Sequence, residues 1–300
     1  MLQPIPQAAA AALLDPEVAP PRRGRFFRAL VRRPLTLVGT VIVTLFVMTA
    51  LFGPLLAPHD PTAIFYVAGQ TPPSPPSASF PFGMDATGRD VLSRVLAGAR
   101  ISLTVGVVAV GIATLFGTLF GLLAGYFGGW TDQLIMRLMD VMLAFPDILL
   151  AIVIITVLGP GLTNVMIAVG IAAIPAYTRT VRATVLSVRQ QDFVEAARAL
   201  GAPSWRIILS HILRNVLSPI IVLVTLSIGL AILAAAGLSF IGLGAQPPTP
   251  EWGDMLNDAQ NYLQSAWWMA VFPGVAIMIV VVGLNLLGDG LRDLLDPTSR

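Results

Sequence analysis

Lysine and cysteine are both missing from this chain of 300 residues: all 18 basic residues are arginine, and the cysteine count is zero. Each absence removes chemistry. Without lysine there is no G-x-x-x-x-G-K-[ST] phosphate loop, so ATP hydrolysis by that route is excluded, and so is Schiff-base catalysis. Without cysteine there are no disulfides, thiolate nucleophiles or cysteine-ligated metals. The two histidines, His59 and His211, lie far apart in sequence and predict no metal site. Charge is also scarce. Charged residues make up 11% of the chain and hydrophobic ones 56%, where a soluble domain carries about 25% charged. With a mean hydropathy of +0.81, the chain reads as an all-α, multi-span membrane protein with no cofactor and no nucleic-acid partner.

What is present is a series of apolar runs. The first, 35–56, follows a basic block of Arg22, Arg23, Arg25, Arg28, Arg32 and Arg33. It is longer than the roughly 7–15 residues of a signal-peptide core, so an uncleaved first helix is expected. Further runs cover about 101–127, 141–158, 165–185, 219–236 and 269–287. Each approaches the roughly 20 residues that cross a bilayer core. Six helices predict a tail at 1–34, a first membrane helix at 35–56, an outer loop at 57–99, and a five-helix core at 100–290. That core holds an inner loop at 186–215 and an outer loop at 238–268, and a tail follows at 291–300. With both termini in the cytoplasm, fifteen arginines fall inside and three (Arg89, Arg94, Arg100) outside, as the positive-inside rule requires.

Several constellations carry competing readings. Gly117, Gly121 and Gly125 lie four apart in the second run and let a helix backbone approach closely, against either this chain or a second membrane subunit. Asp147, after Pro146 and near the expected inner surface, reads as helix-start chemistry rather than a proton relay. Asp85 and Asp90 lack the alternating ligands of a calcium loop. Trp267 and Trp268 fit an interfacial aromatic belt. The outer loops contain the proline-rich stretches 71–76 and 247–250, which predict extended backbone.

The inner loop differs from all of these. Asp192, with Glu195 three residues on, resembles a capping box. Phe193, Ala197 and Leu200 fall on one helical face, and Gly201 offers a left-handed stop. A second helix is expected to begin near Pro203 and return to the bilayer. Membrane-surface helices favour bulky apolar faces; the alanines 196, 197 and 199 suit a protein socket better.

Glu195-Ala196-Ala197 followed by Gly201 resembles the E-A-A-x-x-x-G loop of importer-type ABC transporter permeases. The segment from Pro81 to Arg94, Gly98-Ala99-Arg100, 125–129, 238–244, 247–253 and 285–293 resemble motifs of the dipeptide/oligopeptide branch, nearest its C-type subunits. The resemblance covers about residues 25–300. It implies a six-helix permease fold in the bacterial inner membrane and import of dipeptides or short peptides. It also implies a second, homologous permease subunit, two cytosolic ATPase subunits and an extracytoplasmic binding protein. The ATPases would dock at Glu195, Ala196, Ala197, Leu200 and Gly201, and the solute-binding residues stay unassigned. The chain departs from the family pattern at Arg214, where relatives often carry proline, and at Ala235, where many carry glutamate. The first departure implies a less bent re-entry into the fifth span. An ion-coupled secondary transporter is the rival reading; it predicts paired intramembrane charges and internal repeats, and neither is evident.

Overall fold

The computed structural model describes residues 34–66 and 71–295; the arginine block before the first helix and the last five residues lie outside the described residues. Helix α1 (Pro34–Leu56) is followed by an irregular loop and α2 (Val91–Phe127). A short pair comes next, α3 (Gly129–Leu143) and α4 (Asp147–Leu158), then α5 (Leu162–Val188) and the eight-residue α6 (Asp192–Ala199). Helix α7 (Ser204–Phe240) contains one π turn at Ile208–Ile212. The far loop holds α8 (Trp252–Ala259), and α9 (Trp268–Leu295) ends the described chain. Among the described residues, five helices are long and apolar enough to cross a membrane, or six if the α3–α4 pair is one broken span.

The 141–158 run is not a straight span. Pro146 lacks an amide proton and disfavours helix at the residue before it, and α3 and α4 meet there at 92°. Alone, α4 with its 12 residues reaches only about 18 Å of a roughly 30 Å core. Pro146 sits at the N-cap, one position earlier than the helix-start reading placed it, and Asp147 opens the helix.

The glycine question resolves inward. A Cβ on Gly121 would sit 2.6 Å from Val181 Cβ and one on Gly125 2.7 Å from Val185 Cβ, while Gly117 faces Tyr177. The three glycines therefore seat α2 directly on α5. Two ion pairs tie α3 to the same helix: Arg182 grips Asp132 through Nε and Nη2, and Arg179 reaches Asp140 at 2.6 Å. Arg189 at the end of α5 donates to Gly125 O at 2.8 Å, covering a carbonyl that the end of α2 leaves unpaired.

Candidate functional site

At one end of the bundle, α6 rests on a single deep anchor. Val194 is fully buried among Val185 and Val188 of α5 and Ile207, Ile212 and Val216 of α7. Ala197 packs against that cluster from its margin. The face expected from Phe193, Ala197 and Leu200 is therefore not the buried one: Phe193 is 41% and Leu200 88% exposed. The 100° step explains the shift, because Val194 and Ala197 are three apart and share a stripe that Phe193 and Leu200 flank. Glu195 and Ala196 point to solvent. All five sequence-predicted coupling residues thus lie on one short helix and its stop, with only Ala197 partly covered.

The capping box does not form. Gln191 is the N-cap and makes no side-chain cap bond, while Asp192 and Glu195 lie in the first turn. Their charge still complements the positive end of the helix dipole, as Arg198 complements the other end. The stop does form. Gly201 has φ +79, its amide donates to Arg198 O at 3.0 Å, and Ala202 donates to Ala197 O at 3.1 Å. That is the paired bond pattern of a Schellman cap. Beyond it, exposed Trp205 carries the Arg206 guanidinium 5.4 Å from its ring centroid. Helix α7 then runs through exposed Arg214 without interruption, between the π turn just before it and Pro219 just after it. Ala235 is 3% exposed among apolar neighbours of α2 and α5, so packing fills the position where many relatives place a carboxylate.

The opposite end is locked by charge. Asp85 accepts from Arg89 Nε at 2.8 Å and lies 3.5 Å from Arg94 Nε, and Arg89 Nη2 reaches Asp258 at 3.3 Å. Arg94 is fully buried and donates to Pro248 O at 3.2 Å. Glu251 caps α8 by accepting from the Asp254 amide. Burial, then the charges of Asp258 and Glu251, push the Asp254 carboxyl up to about 7 against the pull of Arg94 and Arg89. Burial also raises Glu251 and Asp258, the latter against both arginines. His59 stacks 4.9 Å from Phe80 and bonds Asp90, the N-cap of α2. Trp268 is not a belt residue: it is 5% exposed and donates to Met84 O at 3.1 Å, whereas Trp267 is 53% exposed. Trp252 likewise donates to Val95 O at 3.0 Å, over the space left by Gly98. Bonds between residues 154 to 184 positions apart thus close one end of the bundle. These pairings are long-range and no sequence motif displays them; their one local signal is a set of acids and arginines in otherwise uncharged loops.

A third feature lies between the ends. A cavity of about 190 Å³ opens between α2, α4, α5 and α7, with Asp147, Tyr177 and Ser227 among its wall residues. Its lining reaches Ala109 and Val110, midway along α2, while Asp147 itself stays exposed at the start of α4.

Comparison with known proteins agrees with this architecture. Residues 117–300 match the family described as binding-protein-dependent transport system inner membrane component, and 22–74 match the N-terminal membrane domain of oligopeptide transport permease C. The dipeptide transport system permease protein DppC of Alkalihalophilus pseudofirmus is 49% identical over 91% of this chain and 89% of its own. The probable D,D-dipeptide transport system permease protein DdpC of Escherichia coli K12 is 48% identical, over 89% and 88%. The glutathione transport system permease protein GsiD of Escherichia coli O6:K15:H31 is 50% identical, over 92% and 90%. In fold, the chain is similar to one from the inward-facing MetNI methionine ABC transporter, with a TM-score of 0.55 at 18% identity over 67% of this chain and 96% of that one. The chain therefore belongs to the binding-protein-dependent inner-membrane component family and is a multi-pass permease subunit of an ABC importer.

Proposed function

We propose that this permease imports dipeptides or similarly short peptides, forming the solute path with a second, homologous permease subunit. Two cytosolic ATPase subunits supply the energy, one of them docking on α6 through Glu195, Ala196, Ala197, Leu200 and Gly201. An extracytoplasmic binding protein delivers solute at the end closed by the Asp85–Arg89–Asp258 cluster. Both termini and the α6 loop are cytoplasmic in this reading, which the fifteen-to-three arginine distribution supports. The observation that carries the docking proposal is the construction of α6: a helix anchored by one buried valine, stopped by a Schellman cap, and presenting Glu195, Ala196 and the large apolar Leu200 outward. A helix held so lightly by its own chain suits a lever seated in another protein. The solute class is supported by the dipeptide, D,D-dipeptide and glutathione permeases at about half identity.

The test is reconstitution of the complete importer with its binding protein in proteoliposomes. The proposal expects ATP hydrolysis to rise when dipeptide-loaded binding protein is added, with dipeptide entering the lumen. Uptake driven by an ion gradient through this chain alone would overturn it.

A further inference from the structure

The mid-depth cavity has features that packing alone does not account for. Asp147 is the single charged residue among the described residues that line it. It is exposed and has no ion-pair partner among the described residues. Around it Phe145, Ile148 and Leu149 are about half exposed, so this face of the isolated chain is apolar apart from one carboxylate. An acid at membrane depth turns to a water-filled path or a counter-charge, not to lipid. The same wall carries two hydroxyl side chains: Tyr177, 1% exposed with its phenol beside Ser227 and Thr114, and Ser227 itself. Alanines of four helices, Ala109, Ala151, Ala173 and Ala231 among them, keep the wall open.

We propose that Asp147 and this alanine-walled cavity are the part of the solute path contributed by this chain, with the Asp147 carboxylate taking the ammonium end of a short peptide or peptide-like solute. The inference rests on the import reading given above. The cavity, at about 190 Å³, is smaller than the roughly 300–1,000 Å³ of pockets that enclose a drug-sized ligand, which fits one end of a small peptide rather than the whole. Among the described residues no arginine lines it, so no cation is there for the solute carboxylate; that end falls to the facing subunit. Alanine walls place no demand on side-chain shape.

The absence of cysteine in this chain makes the test direct. Asp147→Cys in the assembled importer is treated with a membrane-impermeant trimethylammonium methanethiosulfonate, with Leu149→Cys as the control outside the cavity. The Asp147→Cys thiol is expected to react at least tenfold faster than the Leu149→Cys thiol; equal rates, or no reaction, overturn the cavity assignment. In parallel, dialanine uptake is measured for Asp147→Asn and Asp147→Glu, normalised to assembled complex. The asparagine variant is expected to lose at least tenfold in kcat/KM and the glutamate variant to stay within threefold of wild type. Uptake by Asp147→Asn within twofold of wild type, or equal losses in both variants, overturns the ammonium role. A wild-type complex that imports no dialanine at all is a failure of the import reading instead, and the labelling result still decides the cavity.

Discussion

Replacing Gly201 by alanine isolates the backbone term at the end of α6. A Cβ at this position would meet nothing within 4 Å, so no clash contributes. What remains is the φ of +79, which costs a residue with a side chain about 1–2 kcal/mol. Escaping to negative φ would instead break the two cap bonds from Gly201 and Ala202, each worth about 0.5–1.5 kcal/mol net, so the two routes cost about the same. If the ATPase binds only the capped loop, 1 kcal/mol weakens its apparent affinity about fivefold and 2 kcal/mol about thirtyfold. Asparagine visits this conformation more readily than alanine, so Gly201→Asn is expected to fall between wild type and Gly201→Ala. The assay is titration of the detergent-solubilised permease with fluorescent ATPase subunit. The bundle's unfolding temperature serves as control and stays near wild type, because the site is exposed. Wild-type affinity in Gly201→Ala, or an asparagine variant weaker than the alanine one, would mean that the left-handed cap plays no part in docking.

Other expectations concern the bundle itself. Gly121→Val forces α2 away from Val181, since even a Cβ there would sit at 2.6 Å; the overpacking penalty is about 1–3 kcal/mol or more, read as a lower unfolding temperature in detergent. Arg89→Met leaves Asp85 and Asp258 without their nearest cation, and breaking one side of a buried pair costs about 3–5 kcal/mol; proteolysis of the far loops should accelerate. Burial, with the charges of Asp258 and Glu251 added, raises the Asp254 carboxyl from 3.8 to about 7 against the pull of Arg94 and Arg89. The folded state therefore holds a proton that the unfolded chain has released between those values, so this group's contribution to stability falls as pH rises from about 4 to 7 and is flat above. Asp254→Asn should remove that part of the slope in a pH series of thermal melts and be relatively stabilised at pH 8.

Much of this fold is written in local pattern. The apolar runs, the glycine triplet and the Gly201 stop all depend on period and backbone conformation, which sequence displays. Arg189, Asp132 and Asp140 show where that legibility ends. Their partners lie 39–64 positions away, and only packing brings them together. The misread face of α6 has the same origin. Phe193 and Leu200 are the larger apolar residues, but the floor formed by α5 and α7 selects Val194, and no local rule identifies that floor. Trp268 looked interfacial because tryptophan pairs commonly are; its hydrogen bond to Met84, 184 positions away, buries it. Asp147 was legible as a helix start and not as a cavity residue, because the cavity needs four helices to exist.

In the proposed function an ATPase subunit grips α6. With no native cysteine in this chain, Ala196→Cys introduces a single thiol on the exposed side of that helix, and a short bifunctional crosslinker applied to the assembled complex reports its neighbour. A covalent adduct with the ATPase subunit is expected in the Ala196→Cys complex, none in the buried Val194→Cys variant, and none in Gln246→Cys at the opposite end. An ATPase adduct in the Gln246→Cys complex, or its absence in an Ala196→Cys complex that still couples hydrolysis to uptake, would contradict it.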